Sequence, residues 1–254
     1  MRFNGNVAVV TGGGDGMGRE LVKALASYGC SVAMCDINVE NMNITREQAM
    51  RNATDGVKIS TFRCDVSKEE DLIAFAKDVE KEHHDLTERG FALFNNAGIG
   101  GGGSIVADSR EQWERTFNIC WYGVYYSVRA FMPILKACKY GYVVNTSSVN
   151  GFWASVGFLT PHTSYAASKF AVKGFTEALI NDFRLNAPHL KAAVVMPGHV
   201  SIVVYIYILF KKYLLQYQSS LTYNETFFFK CIYIYTYIDW YWYWYKYKRR
   251  NETN

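Results

Sequence analysis

The chain has 254 residues and a formal net charge of +4; half its residues are hydrophobic and a fifth are charged, which suffices for one α/β domain with a sizeable core. The small charge is not gathered into a basic stripe, which excludes nucleic-acid binding, because neutralising phosphates takes clustered Lys and Arg. The one basic cluster, Lys246, Lys248, Arg249 and Arg250, stands at the C-terminal end and reads as a solvated tail. Cys30, Cys35, Cys64, Cys120, Cys138 and Cys231 lack metal-ligand or redox spacing and lie mostly in apolar runs. Buried free thiols and no metal are expected. Residues 1–6 lead straight into a strand pattern, so no signal peptide is expected and a reducing cytoplasm is the default location.

Residues 7–10 are a short apolar run entering a glycine cluster, the pattern of a buried strand before a tight turn. Residues 17–28 carry Leu21, Val22, Leu25 and Ala26 at helical spacing, and 31–35 form a second buried strand. Residues 44–53 are a helix candidate of weaker periodicity, and 58–63 a third strand. Ser67 opens a helix through Leu72, Phe75, Ala76 and Val79, and Ser67 with Glu70 spells a capping box. A fourth strand at 91–94 ends in Asn95-Asn96-Ala97-Gly98 and a run of glycines. One long helix is expected over 110–137, a fifth strand at 142–145, a helix over 164–186 and a sixth strand at 192–196, closed by Pro197-Gly198. This alternation argues for a parallel sheet covered on both faces and doubly wound by right-handed crossovers.

After Val200 the composition changes. Residues 201–254 contain no Gly, Pro, Ala or Met and hold Tyr, Ile, Phe and Trp in dense alternation. Lys211, Lys230 and Asp239 interrupt the apolar stretches, so no membrane span is expected. A β-prone, aggregation-prone tail is the physical reading, which divides the chain into a domain at 1–200 and a low-complexity aromatic tail at 201–254.

The loop Thr11-Gly12-Gly13-Gly14-Asp15-Gly16-Met17-Gly18 sits between a strand and a helix. Its glycines allow a tight turn and close backbone approach, and the helix near Met17 points its first N–H groups at a pyrophosphate. Alone, such a loop is also an ordinary turn. Asp36 ends the second strand, eighteen residues past Gly18. A carboxylate there can accept hydrogen bonds from ribose hydroxyls and repel a 2′-phosphate. Neither Ile37 nor Asn38 is a cation that could hold that phosphate, so NAD is favoured over NADP.

With these motifs in order, residues 1–200 resemble the short-chain dehydrogenase/reductase family. The resemblance rests on Thr11-Gly12, Gly16 and Gly18 as a cofactor fingerprint and on Asn95 to Gly98 as the fourth-strand motif. Cys64-Asp65-Val66 is similar to the family's adenine-contacting segment, and Pro197-Gly198 to the turn beside the nicotinamide. It implies a Rossmann-type doubly wound, three-layer αβα fold. The implied cofactor contacts are Gly12, Asp15, Gly16, Met17, Gly18, Asp36, Asp65, Val66, Asn96, Ala97, Gly98, Tyr165, Lys169, Pro197, Gly198 and Val200.

Tyr165 and Lys169 lie four apart at the start of a predicted helix and project from one face. A free phenol gives up its proton near pH 10, and an ammonium alongside favours the phenolate by charge proximity. Ser148 can donate to a substrate oxygen and stabilise charge developing there. The resemblance assigns catalytic roles to Ser148, Tyr165 and Lys169, and makes Asn118 the holder of a water leading from Lys169 to solvent. Taken singly, each has a plain structural reading. Ser147 competes with Ser148 for its role; Val149-Asn150-Gly151, matching the family's sequel, favours Ser148.

Phe152, Trp153, Phe158 and Leu159 could wall an apolar substrate pocket or simply pack, and His162 reads as structural. Trp121, Tyr125, Phe170 and Phe175 look like exposed apolar residues, and in this family such helices pair across a subunit interface, which implies a homodimer or homotetramer. The expected activity is NAD(P)-dependent interconversion of a secondary alcohol and a ketone; the alternative is a catalytically impaired nucleotide-binding pseudoenzyme. The family's substrate lid and final strand are not recognisable after Val200. Val200-Ser201 is a dipeptide that a splice-donor sequence would encode, so the tail reads as non-native coding sequence, with a divergent tail as the alternative. A membrane-anchoring tail is a third reading.

Overall fold

The first strand, β1 (Val7–Thr11), carries no charge and is buried along its whole length, as a parallel strand covered on both faces requires. A computed structural model describes residues 3–83, 85–101, 103–154 and 161–198. Strands and helices alternate through α1 (Gly16–Ser27), β2 (Ser31–Asp36), α2 (Val39–Met50), β3 (Ile59–Arg63), α3 (Glu69–Glu82) and β4 (Gly90–Asn95). The chain continues through α4 (Arg110–Phe117), a π-helical segment at Asn118–Tyr122, α5 (Gly123–Ala137), β5 (Tyr140–Thr146), a 3-10 turn at Val149–Gly151, α6 (Thr163–Asn186) and β6 (Leu190–Val195). The six strands form one parallel sheet in the order β3-β2-β1-β4-β5-β6.

Alternate strand residues face opposite layers. Ala8, Val10, Val32 and Met34 pack under Leu21, Val22 and Leu25 of α1 and Met42 of α2. Val7, Val9, Phe91 and Leu93 pack under Leu72 and Phe75 of α3, Phe131 of α5 and Leu179 of α6. This is the expected doubly wound αβα sandwich. The chain winds outward from β1 to β3 and then returns to place β4 on the other side of β1. Connections therefore diverge between the carboxyl ends of β1 and β4, which leaves a crevice there.

All six expected strands are present, with ends moved by one or two residues; three helical expectations need correction. The helix expected over 44–53 is α2, which starts at Val39, where the Asn38 side chain accepts from Asn41 N at 3.0 Å. Its buried face is Met42, Thr45 and Ala49, too polar to read as an apolar stripe. Ser67 does not cap α3. Its hydroxyl donates to Asp65 Oδ1 at 2.7 Å, and α3 begins at Glu69 with no side-chain cap bond. Three carboxylates in its first turn, Glu69, Glu70 and Asp71, complement the helix dipole instead. The single helix expected over 110–137 is broken by the π-helical segment beginning at Asn118.

Cys30, Cys35, Cys64, Cys120 and Cys138 are free and buried; Cys231 lies outside the described residues. No helix among the described residues is long and apolar enough to cross a membrane. The aromatic tail at 201–254 and the expectations attached to it also lie outside the described residues.

Two outcomes follow for packing. Phe131 is fully buried and meets Phe75 edge-on at 5.4 Å and stacks on Phe91 at 6.0 Å. Phe131→Ala is expected to cost about 3–5 kcal/mol in urea denaturation; a loss below about 1 kcal/mol would contradict this packing. Burial pushes the Cys30 thiol up to about 12 and also raises Cys35 and Cys138. In mildly alkaline buffer the native chain should therefore resist iodoacetamide at these three positions, read by peptide mass mapping, and react there once unfolded.

Candidate active site

The crevice is built on a clasp between the ends of β1 and β4. The Thr11 hydroxyl oxygen accepts from both Asn96 N and Ala97 N at 3.0 Å. The Asn96 amide returns the tie, donating to Thr11 O at 3.1 Å and Gly12 O at 3.3 Å. The backbones come so close that a Cβ on Gly12 would lie 2.8 Å from Ala97 Cα, and Gly12 sits at φ +66°. Only glycine tolerates both conditions.

The glycine loop then opens toward solvent. Gly16 has φ +55°, and nothing lies within 4 Å of where its Cβ would be. Asp15 caps α1 by accepting from Gly16 N at 2.7 Å, and also pairs with Arg19 at 3.4 Å. Met17 and Gly18 form the first turn of α1, with Gly18 buried. Asp36, at the end of β2, accepts from Gly14 N through Oδ2 and from Asn38 N through Oδ1, both at 3.0 Å. Its carboxylate is thereby fixed beside the loop. A strand end, a glycine cradle open to solvent, a helix N-terminus and a held carboxylate together fit a dinucleotide.

Asp65 and Val66 lie beyond the end of β3. Asp65 Oδ1 accepts from the backbone and hydroxyl of Ser67, and Asp65 N donates to Asp71 Oδ2 at 2.9 Å. Val66 is buried against Gly123, where an added Cβ would come within 2.9 Å of it. On the other side, Pro197 O accepts from Val149 N at 3.0 Å, which holds the turn after β6 to the 3-10 turn after β5. Gly198 is half-buried, and Val200 lies outside the described residues.

Lys169 connects this cradle to the chemistry. It is 3% exposed, donates to Thr146 O at 3.0 Å and stands 5.4 Å from the centroid of the Tyr165 ring. A Cβ on Gly98 would lie 3.5 Å from Lys169 Nζ. Residue 98 thus lies in contact range of that ammonium. The two serines have different surroundings. Ser147 is buried and donates to Lys169 O at 2.7 Å. Ser148 caps the 3-10 turn, accepting from Asn150 N at 3.2 Å. Asn118 is half-buried where the helix changes to π geometry, an irregularity frequent at functional sites.

Parts of the site were not visible in the sequence. The start of α6 is clamped to α4: Trp113 Nε1 donates to the Thr163 hydroxyl at 2.9 Å, that hydroxyl donates to Gly103 O at 2.8 Å, and Ser164 donates to Trp113 O at 2.6 Å. Arg19 and Thr45 both donate to Gly14 O, at 2.6 and 3.0 Å. Neither set forms a local motif, since the partners are 5 to 60 residues apart. The ring of His162 lies 6.5 Å from that of Tyr165. Phe152 and Trp153 meet edge-on at 5.3 Å and are exposed, while Phe158 and Leu159 lie outside the described residues. Of the residues expected on an apolar surface, Phe170 is exposed, and Trp121, Tyr125 and Phe175 are half-buried against one another.

Thr11→Val keeps the shape and removes the acceptor of two N–H groups. It is expected to lower stability by about 1–3 kcal/mol in urea, with Thr11→Ser close to wild type. Equal stability of all three would show that the clasp does not hold β4.

The short chain dehydrogenase family description matches residues 6–204. The chain is 32% identical over 202 residues to the putative oxidoreductase SadH of Mycobacterium tuberculosis, covering 80% of this chain and 69% of that protein. A short-chain dehydrogenase/reductase from Burkholderia phymatum, solved in complex with NAD, matches with TM-score 0.70 at 30% identity over 82% of this chain and 71% of its own. A metagenomic short-chain oxidoreductase in complex with NADP matches with TM-score 0.68 at 27% identity, over 82% of this chain and 91% of its own. With motifs, fold and relatives in agreement, the chain belongs to the short-chain dehydrogenase family.

Proposed function

We propose that the chain is an NAD-dependent oxidoreductase that interconverts a secondary alcohol and a ketone, with Tyr165 as acid and base. The observation that carries this reading is Lys169. Its ammonium stands beside the Tyr165 ring and within reach of Gly98, on the strand end that clasps the glycine loop. When bound, NAD supplies the hydride acceptor for alcohol oxidation.

The chain's own residues handle the proton and the developing charge. Tyr165 takes the proton from the alcohol oxygen, and the Lys169 ammonium offsets the negative charge on the phenolic oxygen while it does so. Ser148 donates a hydrogen bond to the same substrate oxygen. Asn118 holds a water through which Lys169 exchanges protons with solvent. Gly12, Asp15, Gly16, Met17 and Gly18 line the cradle for the pyrophosphate, and Asp36 takes the adenosine ribose. Asp65 and Val66 would border the adenine, and Asn96, Ala97, Gly98, Pro197 and Gly198 the nicotinamide half. NAD rather than NADP is supported by the Asp36 carboxylate and by the absence of a cation at Ile37 and Asn38.

The exposed rings of Phe152 and Trp153 follow closely on Ser148 and favour an apolar alcohol. The groove between α5 and α6, lined by Tyr125, Val128, Met132, Pro133, Phe175 and Leu179, supports a homo-oligomer. The buried free thiols suit a cytoplasmic location. The pseudoenzyme reading finds no support in the relatives.

The test is turnover of the full chain on a panel of secondary alcohols, followed by reduced nicotinamide absorbance. Tyr165→Phe is expected to lower kcat by about 10²–10⁴-fold with NAD affinity unchanged. NAD binding without turnover on any alcohol would favour the pseudoenzyme, and full activity in Tyr165→Phe would remove Tyr165 from the mechanism.

A further inference from the structure

We propose that Asn145 and Thr176 are positioning residues that lock α6 onto β5 and so hold Lys169 against Tyr165. The inference rests on the function above only for the roles given to Tyr165 and Lys169. Asn95, Asn145 and Thr176 are at most 1% exposed, and Asn95 and Asn145 are direct partners in the β4–β5 pairing.

Their hydrogen bonds run in one direction. The Thr176 hydroxyl donates to Val172 O at 2.6 Å, so its proton is committed and its oxygen can only accept. The Asn145 amide nitrogen must then face it, and does, at 2.9 Å. That leaves Asn145 Oδ1 facing β4, where it accepts from Asn95 Nδ2 at 2.8 Å. Turning the Asn145 amide over would set its nitrogen against the Asn95 nitrogen and its oxygen against the Thr176 oxygen. With the Thr176 proton given to Val172 O, the Asn145 amide has one orientation.

Tyr165, Lys169, Val172 and Thr176 are spaced four, three and four apart, one stripe of α6. Ser147 directly follows β5, two residues after Asn145, and continues its extended path by donating from its N–H to Val195 O at 2.7 Å, which puts both on the face toward α6. Ser147 donates to Lys169 O and Asn145 to Thr176. The helix is thus pinned to the strand at two points, two helical turns apart. With the clamp of its first turn on α4, these two pins fix both the slide and the roll of α6 on β5. Apolar residues at 145 and 176 would give comparable or greater stability, because replacing both members of a buried polar pair is nearly neutral or stabilising. What the polar pair adds is register, and the residue whose register matters is Lys169, which reaches Thr146 O and the Tyr165 ring from the same stretch.

The test uses the full-length chain and needs no substrate. Lysines are acetylated with acetic anhydride under native conditions, and the rate at Lys169 is read by peptide mass mapping against the other lysines of the same digest. Thr176→Val keeps the shape but leaves the Asn145 donor unpaired, and is expected to speed Lys169 acetylation by about tenfold or more through local opening. Thr176→Ser, which retains the hydroxyl, should restore protection. Val22→Ala, in the core under α1 on the opposite face of the sheet, should lower Tm but leave the Lys169 rate at its wild-type value. Thr176→Ala, with room for a water at Asn145, should change the rate in the same direction by less, and serves if Thr176→Val does not fold.

An unchanged Lys169 rate in Thr176→Val or Thr176→Ala would overturn the proposal. So would equal acceleration by Val22→Ala, or a failure of Thr176→Ser to restore protection. If Lys169 responds as expected while the wild type oxidises no alcohol, the seat of α6 stands and the proposed activity fails.

Discussion

The clasp between Thr11 and the Asn96-Ala97 backbone is the interaction on which the rest of the site depends. It joins β1 and β4 where the winding of the sheet reverses, the one place where the connections diverge and leave space for a ligand. Pulling the two strand ends together forces Gly12 against Ala97, and that contact sets where the glycine loop leaves the sheet. The same segment continues into Gly98, which lies in contact range of the Lys169 ammonium. One hydroxyl thus links the cradle that fits a dinucleotide to the ammonium beside the candidate acid–base.

The face of α6 that carries Tyr165 and Lys169 is held by polar contacts rather than by apolar packing alone. Its first turn is tied to α4 through Trp113, Thr163 and Ser164. Its middle is tied to β5 through Ser147 and Asn145. Apolar contacts tolerate sliding by fractions of a turn, whereas hydrogen bonds lose strength over a few tenths of an ångström. The proposed pairing of an acid–base tyrosine with a lysine that offsets its charge needs the second kind of restraint. The two adjacent serines divide the work accordingly, Ser147 bracing the helix and Ser148 standing at the head of the next turn.

The sheet was legible because buried parallel strands are short apolar runs punctuated by glycine, and β1, β2 and β4 are almost pure examples. The glycine loop and the Tyr165–Lys169 spacing were legible because each is a local motif. What escaped was decided by contacts distant in sequence. The face of α2 is buried through Thr45, whose hydroxyl serves Gly14 O thirty-one residues away, so its stripe carries little apolar signal and its start at Val39 is not marked in the sequence. Ser67 matched a cap by spacing, yet the nearer Asp65 carboxylate captured its hydroxyl. The π-helical segment at Asn118 interrupts a helix whose periodicity is unbroken on either side. The Asn95–Asn145–Thr176 chain leaves no trace until the strands are paired.

The central claim is that the crevice between β1 and β4 holds a nicotinamide dinucleotide. The most direct measurement is titration of the full-length chain with NADH, following energy transfer from its tryptophans to the bound reduced nicotinamide. The expected result is a saturable signal that NAD displaces at lower concentration than NADP, and that is lost when Gly12 is replaced by Val. A signal that does not saturate, or one indifferent to the Gly12 substitution, would contradict it.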